Sequence, residues 1–499
     1  MDSEVQNNAS KMMITALWWV KRGYAKAITE QYDAVVPTDQ DFQENTKQED
    51  DEMDDETDNL PDLGEGYIQP DKESNAGEGE DDEDMIPQED YPQMVKDDNS
   101  DDEEDVIRKS DALIVTACAE RDYSTLEVYL YEEEVSNLYV HHEIMLNAYP
   151  LWIEWIKYVP GESTQINNKG NFVAVGTFGT AIEIWNLDQV DVVEPYITLG
   201  GETEAGKNLP LKSMKAKKRK KYYNEGSHID SVLCLSIHPT EVNYLASGSA
   251  DKTVKIWDIS NQKCVRDIKN HKDKVQVLEW NKQDPNMILS AGFDGKGVVT
   301  NSKNPNEKIY MQFENTEIES GLWNPLDQNQ WYFSFENGEV KGYDIRNPEN
   351  ALFDFKAHEQ QCTSISSCKA NKNLLATACI DGHVSVWDLS EIDSLTPKCV
   401  QSKNLKVGGL FACQFYDDSP WIIAAGGIKG ELAIWDLEES ELVVKRFQGE
   451  DAFNELKKQE KELGLEGRAS PEPANDSEED DNSERLDHEE DMDDEDEKQ

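Results

Sequence analysis

Positive charge is what this sequence has least of: 48 lysines and arginines stand against 104 aspartates and glutamates in 499 residues. A formal net charge of −56 opposes nonspecific attraction to nucleic acid and favours basic partners. Long apolar runs are missing too. The run MMITALWWV (12–20) ends at Lys21-Arg22. It is too short to cross a bilayer, and no small-residue cleavage site follows, so a cytosolic or nuclear protein without membrane contact is expected. Paired cysteine motifs are absent as well. The eight cysteines, at 118, 234, 264, 362, 368, 379, 399 and 413, show no Cys-x-x-Cys spacing. Most sit in apolar strand-like phrases such as SVLCLSI and LATACI. Buried free thiols in a reducing compartment are expected, with no metal role.

Catalytic signatures are lacking. There is no Gly-x-x-x-x-Gly-Lys loop to cradle phosphate, and no isolated nucleophile–base set. A non-enzyme with no cofactor and no small-molecule substrate is expected.

The negative charge is unevenly placed. Residues 31–105 hold 31 acidic side chains against 3 basic, and residues 451–499 hold 21 against 6. Such self-repelling, apolar-poor stretches bury too little surface to offset chain entropy, so both are expected to be disordered. Ser100 in NSDDEED and Ser477 in DSEED suit an acid-directed kinase resembling casein kinase two, whose phosphate would deepen the field. AFNELKKQEKELGLEGR (452–468) has helical spacing with i,i+4 Glu/Lys pairs, which predicts a short surface helix.

Between the acidic stretches the chain repeats itself. ADKTVKIWD (250–258) and IDGHVSVWD (380–388) share one pattern. His228 precedes Trp257 by 29 residues, His271 precedes Thr300 by 29, and His358 precedes Trp387 by 29. Six residues before each endpoint stands Asp251, Asp294 or Asp381, and four before each aspartate stands Ser247, Ser290 or Thr377. Weaker copies end at Trp185, Tyr343 and Trp435. In the copy ending at Tyr343, Glu314 stands where the histidine would be. Within a unit, TVKIW alternates between two faces, and short β-branched runs are separated by Gly, Asn, Asp and Pro turns.

A period of about 43 residues with four short strands matches a propeller blade rather than a helical solenoid. The pattern resembles WD40 repeats over roughly residues 110–440. That resemblance implies an all-β, seven-bladed WD40 propeller, with the aspartate, histidine, hydroxyl and tryptophan forming a buried hydrogen-bonded relay. A hydrolase triad is the rejected alternative, because a catalytic set occurs once per site whereas this one recurs at blade spacing. Blades that have lost a relay member should be softer. Six tryptophan-equivalent positions are visible, so the seventh blade is expected to take strands from residues 1–30, paired with DALIVTACA and STLEVYL across the acidic insert. The expected organisation is residues 1–30 completing a blade, 31–105 insert, 106–445 propeller with a basic insert at 201–225, and 446–499 helix and tail.

In the basic insert, Lys217, Lys218, Arg219, Lys220 and Lys221 read as a nuclear-import signal, with a phosphate contact as the alternative. The phrases ITALWWVKRGYAKA, YVHHEIMLNAYPLWIEWIKY (139–158) and GTFGTAIEIWNLDQVDVVEPYITLG (176–200) go further. With the acidic and basic inserts in the same order, the chain resembles the periodic tryptophan protein 1 family. That resemblance implies a nuclear and nucleolar scaffold in large-subunit ribosome assembly, contacting pre-60S proteins and rRNA, with a role in ribosomal-DNA transcription or chromatin. The acidic arms leave a second expectation open, a chromatin module for histones or other basic proteins. A ubiquitin-ligase substrate receptor is a further, less supported possibility. Loops bearing the histidines and aspartates are the expected partner face, near Ile229, Asp230, Lys272, Lys274, Glu359 and Gln360.

Overall fold

The computed structural model describes residues 12–31, 106–121, 123–161, 169–207, 209, 214, 220–313, 316–390 and 396–449. The chain divides into two units, Met1–Thr29 with Ile107–Gln499, and Glu30–Val106. The second unit lies almost wholly outside the described residues. Ser100, Ser477, Lys217, Lys218, Arg219, Glu314 and the helix expected at 452–468 also lie outside them.

The first unit is a seven-bladed β-propeller. Its seven innermost strands are Met13–Val20, Pro150–Tyr158, Val232–Ile237, Val275–Trp280, Ile318–Trp323, Cys362–Ser367 and Leu410–Phe415. They follow one another around a ring, and the first closes on the seventh. Six blades are antiparallel four-stranded sheets and the seventh has three strands. Each blade is a meander, so its hydrogen bonds come from strands joined by tight turns. The first blade departs from this rule. Its innermost strand Met13–Val20 pairs with Ala112–Ala119, in a register running from Met13 opposite Ala119 to Val20 opposite Leu113.

Apolar clusters lie between blades rather than in one central core. One joins Leu235, Leu245 and Trp257 to Ile182, Ile184 and Leu199 of the preceding blade. Strands buried on both faces explain near-continuous apolar runs such as ALIVTACA, every residue of which is buried.

A polar device repeats beside these clusters. Among the described residues, in six of the seven blade junctions a side chain of one inner strand accepts a backbone N–H from the next. Glu154 Oε1 accepts from Ile237 (3.0 Å), Ser236 Oγ from Trp280 (3.0 Å) and Glu279 Oε2 from Trp323 (2.6 Å). Ser320 Oγ accepts from Ile365 (3.4 Å), Ser366 Oγ from Phe415 (3.0 Å) and Gln414 Oε1 from Trp19 (3.2 Å). The last bond spans 395 residues and joins the seventh blade to the first. Trp19 Nε1 also donates to the Gln414 carbonyl (3.1 Å), as Trp323 Nε1 does to that of Glu279 (3.2 Å). A buried inner-strand edge would otherwise leave these amides unpaired, so the bonds fix where each blade sits against its neighbour.

After the seventh blade, Glu441–Phe447 forms a helix capped by Ser440, whose hydroxyl accepts from the Val443 N–H. Val443 and Val444 are buried, and the Arg446 guanidinium binds Asp388 of the sixth blade. The helix therefore clamps the last two blades together.

Candidate interaction surface and its polar relays

The turns between the second and third strands of the blades put the relay aspartates beside the loops that carry the histidines. In the third blade, His228 Nδ1 lies 2.8 Å from Asp251 Oδ2 and its Nε2 lies 2.7 Å from Ser247 Oγ. Trp257 Nε1 donates to the same hydroxyl at 2.8 Å. His228, Ser247 and Trp257 are wholly buried. Asp251 also accepts from the Ile229 N–H (3.1 Å) and the Thr253 hydroxyl (2.6 Å). Burial pushes its carboxyl up, but the His228, Thr253 and Ile229 bonds outweigh that and hold it well below the carboxylate range. Burial lowers the His228 pKa, which favours the neutral imidazole.

The fourth blade keeps half of this chain. His271 bridges Asp294 (3.2 Å) and Ser290 (2.9 Å). Thr300, standing in place of tryptophan, takes its bond from Asn270 Nδ2 instead (2.9 Å). The fifth blade has no histidine relay. Phe333 occupies the hydroxyl position and packs on Phe313 (5.8 Å) and Phe335 (6.5 Å), while Phe313 also meets Phe335 (4.9 Å) and Tyr343 (5.7 Å). Aromatic burial replaces polar pairing there.

The sixth blade differs from the expected relay. His358 Nε2 meets Thr377 Oγ1 (2.7 Å) and Trp387 Nε1 donates to that oxygen (2.9 Å). Asp381 does not bond His358. Its Oδ1 accepts the His383 N–H (2.9 Å) and lies 3.1 Å from His383 Nδ1. His383 occupies the place of Thr253, so the aspartate has a competing imidazole two residues away. That local competitor decides the difference.

Of the residues expected to face a partner, Lys272, Lys274, Glu359 and Gln360 are exposed, whereas Ile229 and Asp230 are half-buried. The two Ile229 and Lys272 amides are committed to Asp251 and Asp294. Glu359 is paired with Lys356 at 2.8 Å. Lys220 and Lys221 are exposed in a short 3-10 turn, Lys220–Tyr222. Side chains not anticipated from the sequence line a central cavity of about 780 Å³ walled by all seven inner strands. Lys157, Lys282 and Lys369 line it together with Glu154, Glu279 and Asp417. Burial pushes Glu154 up to about 8, more than the Ile237 N–H and Lys282 pull it down. No signal of periodicity marks these residues, because their neighbours lie one blade away. Among the described residues, no helix is long and apolar enough to cross a membrane.

A ring of small sheets, pinned by His–hydroxyl–Trp relays at blade spacing, defines a WD40-repeat propeller. The repeat family described as WD domain, G-beta repeat matches residues 220–258 and 349–388, the two blades with a tryptophan-ended relay. The chain is 33% identical over 378 residues to an uncharacterised WD repeat-containing protein of Schizosaccharomyces pombe, covering 75% of this chain and 70% of that one. It is 28% identical over 361 residues to the periodic tryptophan protein 1 homolog of Drosophila melanogaster (72% and 74%). It is 29% identical over 388 residues to periodic tryptophan protein 1 of Saccharomyces cerevisiae (69% and 66%). The chain belongs to the periodic tryptophan protein 1 family of WD-repeat proteins.

Proposed function

We propose that the protein is a non-catalytic scaffold in ribosome biogenesis, acting in the nucleus and nucleolus on the maturing large subunit and its rRNA, with a link to ribosomal-DNA transcription. The observation that carries this reading is a rigid ring of seven sheets whose loops present Lys272, Lys274, Glu359 and Gln360 on fixed supports. Similarity to the ribosome biogenesis protein WDR12 homolog of Caenorhabditis briggsae supports it, at 26% identity over 236 residues, 46% of this chain and 50% of that one. Pre-60S proteins and rRNA are the partners this reading names, and Lys217–Lys221 is its import signal. Co-sedimentation with pre-60S particles and loss of large-subunit rRNA intermediates on depletion are the expected results. Normal rRNA processing after depletion would defeat it.

A second reading rests on the charge of the two acidic stretches, 31–105 and 451–499, which suits a histone or another basic protein. The chain is 25% identical over 170 residues to histone acetyltransferase type B subunit 2 of Candida glabrata, 33% of this chain and 40% of that one. Removing both stretches abolishes histone capture under this reading and spares pre-ribosome association. Phosphate on Ser100 and Ser477 would strengthen the capture.

A further inference from the structure

Among the described residues, three metal-binding side chains collect in the sixth blade. Cys379 stands two residues before the turn aspartate, a place held by Ser249 in the third blade and Gly292 in the fourth. Donor atoms of His358, Cys379 and Asp381 all lie within 4.8 Å of one another. These residues come from two elements, the loop before the inner strand and the end of strand Leu374–Cys379 with its turn. Separated by 21 and 2 positions, they form no recognisable sequence motif.

The relay of this blade engages His358 through Nε2. The Thr377 hydroxyl oxygen accepts the Trp387 N–H at 2.9 Å. His358 Nε2 lies 2.7 Å from Thr377 Oγ1, which leaves Nδ1 as the ring nitrogen available to a cation beside Asp381 and Cys379. A cation placed between them lies within reach of one donor atom from each residue. The Asp381 side chain, 28% exposed, opens the cluster to solvent, while His358 and Cys379 are buried.

We propose that His358 Nδ1, Cys379 Sγ and an Asp381 carboxylate oxygen bind one zinc-class divalent cation on the loop face of the sixth blade. A thiolate, an imidazole and a carboxylate suit a borderline ion such as Zn²⁺, and three protein ligands leave a fourth position for water. Thr377 and His383 orient the ligands from behind, as hydrogen-bonded partners of metal-binding imidazoles and carboxylates commonly do. The Cys379 thiol gives up its proton to solvent as the metal–sulfur bond forms.

The test is a Co²⁺ titration of the reduced, metal-stripped full chain, read by thiolate-to-cobalt charge-transfer absorption. Carboxylates of the acidic stretches give no such band, so only a cysteine-ligated ion is seen. One Co²⁺ per chain, displaced by Zn²⁺, is the expected result. Cys379→Ser, which installs the side chain the third blade already uses, should abolish the band, whereas Cys399→Ser at an exposed thiol should leave it. Asp381→Asn keeps the shape of the turn and should weaken Co²⁺ binding about tenfold or more. Absence of the band in the wild type, or its persistence in Cys379→Ser, overturns the proposal. Unchanged affinity in Asp381→Asn removes the carboxylate from the site and overturns it as well.

Discussion

Ser247→Ala tests whether the relay holds its blade together. The Ser247 hydroxyl joins two buried groups, the Trp257 indole N–H at 2.8 Å and His228 Nε2 at 2.7 Å. Truncation strands both where no water replaces them. Leaving one buried polar group unpaired costs about 1–3 kcal/mol, and the two share one partner, so about 2–4 kcal/mol is expected. Ser290→Ala is the internal control. Its hydroxyl serves His271 (2.9 Å) and the Val298 carbonyl (3.4 Å) but no indole, because Thr300 replaces the tryptophan, and about 1–2 kcal/mol is expected. Ser247→Thr, borrowing the residue found at position 377, keeps the acceptor and should recover most of the loss. Equilibrium urea unfolding gives the total, and native-state hydrogen exchange over Val254–Asp258 shows whether the loss is local. A Ser290→Ala cost equal to or above that of Ser247→Ala would refute the relay reasoning.

Glu154→Gln should flatten the pH dependence of stability. Burial raises the Glu154 pKa in the folded state to about 8, above its unfolded value, so its contribution is fully present below the unfolded pKa and is lost as pH rises through about 8. The glutamine keeps the acceptor for the Ile237 N–H and gains on the wild type between pH 5 and 9, by on the order of a few kcal/mol in paired denaturation curves. Trp19→Phe deletes the indole bond to the Gln414 carbonyl, costing about 1 kcal/mol, and should speed hydrogen exchange in Met13–Val20 before other inner strands. Arg446→Ala takes a guanidinium from the buried Asp388, and thermal unfolding should fall by an amount corresponding to about 1–3 kcal/mol.

The propeller was legible because its information is local. A strand, its turn and its neighbouring strand lie within one period, so alternation, turn residues and the 29-residue spacing from His228 to Trp257 carry the blade in the chain itself. The donors and acceptors of each relay fall inside one repeat for the same reason, and the structure brings together His228, Ser247, Asp251 and Trp257 at hydrogen-bond distance. Even the loss of a relay in the fifth blade is written locally, in Phe333 and Tyr343 at the hydroxyl and tryptophan places.

What the sequence by itself determined is thus everything that depends on neighbours within about one blade: strand alternation, turn chemistry, and which side chains can meet inside a sheet. Contacts one blade apart or more were decided by the tertiary structure alone. Gln414 meets Trp19 only because the ring closes, and Glu154 is raised only because the next blade covers it. Those choices turn on the packing of one sheet against another, which brings together residues whose separation along the chain carries no signal.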